Sequence, residues 1–162
     1  MNTKHHNQQK ILNKSTLLPT LERLRKFGKK IVFTNGCFDI LHPGHIHTLQ
    51  EAAALGDFLL VAINSDASVK RLKGPNRPVN AEDARALVIA ALSMVDGVCI
   101  FDEDTPLQLI QKIMPDVLVK GGDYQPHEVV GSAEVNTHGG KVAIISYLEG
   151  YSTTSLIDQM KG

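Results

Sequence analysis

A chain of 162 residues, 43% hydrophobic and 21% charged, fits one globular domain with a sizeable core. Lys plus Arg equals Asp plus Glu, 17 against 17, so there is no net field for a polyanion and a nucleic-acid partner is disfavoured. Cys37 and Cys99 match no zinc or redox spacing and suit a reducing compartment. The polar stretch Met1–Gln9 lacks a signal peptide's apolar run and no segment reaches the length of a membrane span, so no membrane partner and a cytoplasmic location are expected.

Residues 1–14 are polar and read as a flexible tail, with His5 and His6 incidental, ahead of one domain over 15–162. The spacing Leu17, Leu21, Leu24 predicts an amphipathic helix over Thr16–Phe27, closed by Gly28. Five short, continuous apolar runs follow: 31–33, 58–63, 98–101, 117–119 and 142–145. Unbroken runs of this kind suit strands buried on both faces, as in a parallel sheet. Helical segments lie between them. One starts near Pro43 and stops at Gly56. The next takes Asn80 as N-cap, with an apolar stripe of Leu87, Val88, Ala91, Leu92 and Val95. A third opens at Thr105-Pro106 and ends at Pro115. Strand and helix alternating about five times predict a three-layer, Rossmann-like α/β domain with a five-stranded parallel sheet. In such sheets ligands bind beyond the carboxyl ends of the strands.

The first strand runs into Thr34-Asn35-Gly36-Cys37-Phe38-Asp39-Ile40-Leu41-His42-Pro43-Gly44-His45 and then a helix. Pro43 pushes His42 out of the α region, Gly44 lets a ligand approach the backbone, and free N–H groups at the helix start make an anion site. Two imidazoles three residues apart can flank one phosphate; a turn with an incidental His pair is the alternative. A metal site of His42, His45 and His47 fails because positions 45 and 47 do not share a helix face. Residues 70–78, Lys-Arg-Leu-Lys-Gly-Pro-Asn-Arg-Pro, read as a mobile loop of four cations, able to close over phosphates or simply solvated. Lys120-Gly121-Gly122-Asp123-Tyr124 follows a buried strand and can face a base or sugar, or be a plain turn. Asn64-Ser65-Asp66 is placed similarly and equally suits a helix N-cap. Near the end, Tyr151-Ser152-Thr153-Thr154-Ser155 offers hydroxyls and free N–H groups at a helix start.

The run Thr34 to His45, with its His-x-Gly-His, together with the Ser-Thr-Thr run after Gly150, resembles the cytidylyltransferase-like nucleotidyltransferase superfamily. Residues 30–160 are most similar to the adenylyltransferase domains of heptose biosynthesis. The strings that carry this are 33–36, 57–66, 115–124 and 151–154. That resemblance implies transfer of AMP from ATP to D-glycero-D-manno-heptose 1-phosphate, with Mg²⁺ bridging phosphate oxygens and no protein side chains dedicated to a metal. By the same resemblance His42, His45, Lys73 and Arg85 act on the phosphates. Thr34, Asn35, Gly36, Phe38, Gly44, Lys120, Gly122, Asp123, Tyr151, Ser152, Thr153 and Thr154 hold the nucleotide, and Asp39, Asn64, Asp66 and Arg77 are weaker candidates for the acceptor. It further implies a homodimer or higher oligomer, and a separate sugar kinase upstream, because no kinase-sized segment precedes the domain. Glycerol-phosphate cytidylyltransferases carry an arginine shortly before Ser-Thr-Thr, where this chain has Ser146-Tyr147-Leu148. The alternatives are such a cytidylyltransferase, another transferase of the superfamily, or a non-catalytic nucleotide-binding module.

Overall fold

The computed structural model describes residues 6–146, 148, 150, 156–158 and 160. In chain order its elements are α1 (His6–Gln9), α2 (Leu17–Lys26), β1 (Ile31–Gly36), α3 (Pro43–Ala53), β2 (Phe58–Asn64), α4 (Asp66–Lys73) and α5 (Glu82–Ala90). Then come β3 (Gly97–Phe101), α6 (Leu107–Ile113), β4 (Val117–Gly121), a 3-10 turn (Pro126–Glu128), α7 (Ser132–Thr137) and β5 (Lys141–Ile145). The strands form one five-stranded sheet in the order β3-β2-β1-β4-β5, and every pairing is parallel. The order reverses between β1 and β4, which opens a crevice at their carboxyl ends.

Two apolar layers flank the sheet. Val32, Val61, Val98 and Val119 point to a layer closed by Leu49 of α3 and Ile89 of α5. Phe33, Leu60 and Leu118 point the other way, onto Leu21 of α2, Ile110 of α6 and Val135 of α7. Burial on both faces is why the strands are continuous apolar runs. At the amino ends, three carboxylates tie strand starts together. Asp57 accepts from Lys30 N (2.8 Å), Asp96 from Leu59 N (2.8 Å) and Asp116 from Ile31 N (2.7 Å). Gly56 lets the chain turn there, since a Cβ would lie 2.6 Å from Val32 Cγ2 and 2.8 Å from the Lys30 carbonyl.

Several expectations are corrected. The tail does not extend to residue 14: Val98 N donates to Lys10 O (2.8 Å) and Leu12 N to Val98 O (2.7 Å). The exposed edge of β3 has unpaired polar groups, and this segment satisfies two of them. Residues 70–73 are not loop but the last turn of α4, whose N-cap Ser65 accepts from Ser68 N; only Gly74, at φ 97°, breaks the helix. Asn80 is not an N-cap. The helix starts at Glu82 after Ala81, because Asn80 is drawn to Asp39. The apolar stripe of that helix is out of phase too: Leu87 and Val88 are exposed, while Arg85, Ala86, Ile89 and Ala90 are buried. An arginine on a buried face defeats a binary pattern unless its partners are known. Thr105 does not cap α6, where Pro106 holds the N-cap position. No helix among the described residues is long and apolar enough to cross a membrane.

Candidate active site

β1 delivers the chain to the crevice, and the next nine residues build its floor. His42 is extended (φ −144°, ψ 166°), as a residue before proline must be, and Pro43 opens α3. His45 N bonds back to His42 O (2.9 Å), which folds the two imidazoles together: their centroids are 3.8 Å apart and their planes 25° from parallel. Phe38, held in the left-handed region at φ 47°, lays its ring 5.2 Å from that of His45. Strain of this kind persists only where surroundings impose it and gathers at functional sites. Gly36 makes room for that ring, since a Cβ there would sit 3.0 Å from Phe38 Cε2.

Burial lowers the pKa of His42; burial and then the charge of His42 lower that of His45 to about 4. His45 is therefore neutral at pH 7, and its buried Nδ1 has no partner among the described residues. Between its ordinary 6.5 and about 4, the unfolded chain binds a proton at His45 that the folded chain refuses. Stability then falls as pH drops through that window. The urea midpoint of the wild type should fall more steeply from pH 6.5 to 4 than that of His45→Gln; parallel profiles would contradict the burial of this ring.

Cations stand near Cys37, in the loop after β1. Lys73 ends α4 with its side chain in solvent, and its charge acts on both Cys37 and Lys120. Burial first, and then the charge of Lys73, push the Lys120 ammonium below its usual range, and its Nζ lies 5.6 Å from the Tyr124 ring centroid. Burial raises the Cys37 thiol, outweighing Lys73, Arg85 and Arg77, so it is protonated and a poor nucleophile. Its Sγ lies 3.9 Å from Asn64 Oδ1, and Asn64 Nδ2 donates to Ser68 Oγ (3.0 Å). Gly121 allows α3 to close on β4, since a Cβ there would meet Thr48 Oγ1 at 3.1 Å. Gly122 is buried at φ 125°, while Asp123 is exposed. On the outer side of His42 a cavity of about 640 Å³ is lined by Leu41, Pro43, Ile46, His47, Gln50 and Leu148, within the size range of small-molecule sites.

The structure therefore brings His42, His45, Phe38, Gly36, Gly44, Lys73, Lys120 and Asn64 to one crevice. Asn35 lies beside Gly36 at the end of β1. Thr34 is corrected: it is 3% exposed inside the central strand, whose two faces are covered. Asp39 is also corrected as an acceptor contact. Its side chain is fully buried, accepting from Arg77 Nε (2.7 Å), Val79 N (2.9 Å) and Asn80 N (3.0 Å), while its carbonyl accepts from Asn80 Nδ2 (2.8 Å). Burial works against it, but the Asn80 and Val79 N–H groups and Arg77 hold its carboxyl below the ordinary range. The loop after Gly74 is thus tethered at 77, 79 and 80 rather than free, and Arg77 is taken up in the tether. Asp66 pairs with Arg85 (2.8 Å). Tyr151, Ser152, Thr153 and Thr154 lie outside the described residues. Sequence reasoning missed Cys37, Thr48 and Asn80 as site builders. Only the Gly-Cys-Phe-Asp context of Cys37 hinted at its place.

Stacked imidazoles at a helix start lie at the switch point of a parallel sheet, beside a loop whose Cys37 feels the charge of Lys73, and this is where an α/β domain of this kind takes its ligand. Residues 33–159 match the model of the Cytidylyltransferase-like family, and the chain belongs to that family. It is 54% identical over 151 residues to the bifunctional protein HldE of Pectobacterium carotovorum, covering 93% of this chain and 32% of that one. The HldE of Syntrophotalea carbinolica is 53% identical over 93% of this chain and 31% of its own. The chain thus spans about a third of the length of these curated relatives. Among solved structures, the lipopolysaccharide core biosynthesis protein of Thermoplasma volcanium superposes with a TM-score of 0.61 at 31% identity, covering 77% of this chain and all of that one.

Proposed function

We propose that this chain is an adenylyltransferase that joins AMP from ATP to D-glycero-D-manno-heptose 1-phosphate, giving ADP-heptose and pyrophosphate in the cytoplasm. The observation that carries the reading is the stacked His42–His45 pair at the start of α3, with the charge of Lys73 reaching Cys37 in the loop that leads to it. The strong likeness to HldE proteins and to a lipopolysaccharide core biosynthesis protein supports the acceptor. A phosphate oxygen of the acceptor attacks the α-phosphorus, the bond from that phosphorus to the bridging oxygen breaks, and pyrophosphate leaves with the electron pair. The attacking group is already an anion, so no general base is needed and catalysis is positioning and charge stabilisation. His42 and His45 donate to the α- and β-phosphates and Lys73 offsets charge on the departing pyrophosphate. Lys120, Gly122 and Asp123 border the nucleoside, and Tyr151, Ser152, Thr153 and Thr154 hold phosphates. Mg²⁺ brought with ATP would supply further neutralisation of phosphate charge, and no cluster of ligating side chains among the described residues would hold it by itself. Burial raises the Cys37 thiol, so it stays protonated and takes no part as a nucleophile, and the transfer is direct. The acceptor requires a sugar kinase upstream, and the enzyme works as a homo-oligomer.

The test is pyrophosphate release with ATP or CTP against a panel of sugar and polyol phosphates. ATP with heptose 1-phosphate should give the highest kcat/KM, with CTP at least tenfold poorer on the order of one lost base-specific polar contact. Comparable rates with CTP and a polyol phosphate would move the protein to the cytidylyltransferase branch, and no turnover with any pair would leave a binding module.

A further inference from the structure

Arg85 is 2% exposed, and each nitrogen of its guanidinium already donates within the protein. Nη1 donates to Cys37 O (2.6 Å), Nε to Asn80 O (2.9 Å) and Nη2 to Asp66 Oδ1 (2.8 Å). These acceptors belong to the loop after β1, the turn before α5 and the first residue of α4. Cys37 precedes Phe38, whose ring lies against His45, and α4 ends at Lys73. One buried side chain therefore joins the segment that carries the imidazoles to the helix that ends at the exposed Lys73. Its planar fork, with fixed donor directions, is what such a three-way junction needs and what lysine lacks.

We propose that Arg85, anchored by Asp66, is a positioning residue that sets His45 and Lys73 relative to each other, and not a ligand of the nucleotide phosphates. This rests on the reading of the crevice as a nucleotidyl-transfer centre. A phosphate ligand contributes directly to ATP affinity, which its substitution would lower. A positioning residue acts through geometry, which lysine would lose, and its effect must be shared by Asp66.

The experiment compares wild type, Arg85→Lys, Asp66→Ala and the double variant in turnover, in ATP affinity, and in the rate at which a maleimide alkylates Cys37. Buried Cys99 serves as internal reference. Both single variants should lower kcat by about tenfold or more while ATP affinity stays within about twofold, the pattern of a misplaced constellation rather than a lost binding contact. The double variant should lose less than the product of the two, because both act through one junction. Cys37 should alkylate faster in each, since Arg85→Lys misplaces the donor to its carbonyl and Asp66→Ala removes the acceptor that anchors that donor. Weaker ATP binding in Arg85→Lys, with Asp66→Ala normal in kcat and in alkylation, would overturn the proposal and make Arg85 a phosphate ligand. If Arg85→Lys fails to fold, Asp66→Ala decides alone, because Asp66 is a third exposed and opens α4 rather than packing in the core. Alkylation needs no substrate, so unchanged Cys37 reactivity overturns the junction even where the transfer reaction itself is misassigned.

Discussion

His42→Ala and His45→Ala are each expected to lower the turnover of pyrophosphate release by about 10²–10³-fold, the loss that follows removal of one oriented donor to a developing charge. The two rings stack at 3.8 Å and work on one phosphate path, so the double variant should fall short of the product of the single losses. Stability should change little. His45 is neutral, its Nδ1 makes no bond among the described residues, and its contacts are the Phe38 and His42 rings. The check is kcat beside the thermal midpoint for each variant. A well-folded double variant that still turns over at the wild-type rate would remove the imidazoles from the chemistry.

Asp39→Ala should act in the opposite sense, on stability first. Its carboxylate, with no exposed side-chain surface, gathers Arg77 and two backbone N–H groups. Alanine leaves those donors without an acceptor, at a cost of about 2–4 kcal/mol. For a domain of this length each kcal/mol moves Tm by roughly 2–4 °C, which a calorimetric scan resolves. The pH dependence follows from the direction of the shift. A carboxyl depressed below its ordinary 3.8 stabilises the fold fully above that value and loses its contribution as pH falls through the lower folded one. The gap in Tm between wild type and variant should thus be constant near neutrality and close in strong acid. Asp39→Ala should also slow turnover, because the freed loop no longer steadies the end of α4. A variant with unchanged Tm at pH 7 would mean the tether contributes nothing.

Much of this was legible in the chain itself. Each apolar run became a strand, since a strand covered on both faces needs no polar alternation, and β1 led directly into the His-Pro-Gly-His helix start as proline's constraint on His42 required. The segment 70–80 was misread because its Gly and prolines were weighed while the cap Ser65 and the acceptor Asp39 were not. One lies just ahead of that helix, the other some forty residues before the loop it holds. The edge pairing of residues 10–12 was equally invisible, being a consequence of where β3 ends the sheet.

By itself the sequence determined the layered α/β class, the order of strand and helix, and the placing of His42 and His45 together at a helix start beyond β1, because periodicity, proline geometry and helix-start chemistry are all local. Only the tertiary structure decided which charges are available. Lys73 and Lys120 converge on the crevice, whereas Asp39, Arg77, Asp66 and Arg85 are spent on one another across the fold. A charged side chain reads the same in a sequence whether it meets solvent, a ligand or a buried partner. Burial makes pairing obligatory, and which partner is near is set by the crossing of distant strands rather than by any neighbour in the chain.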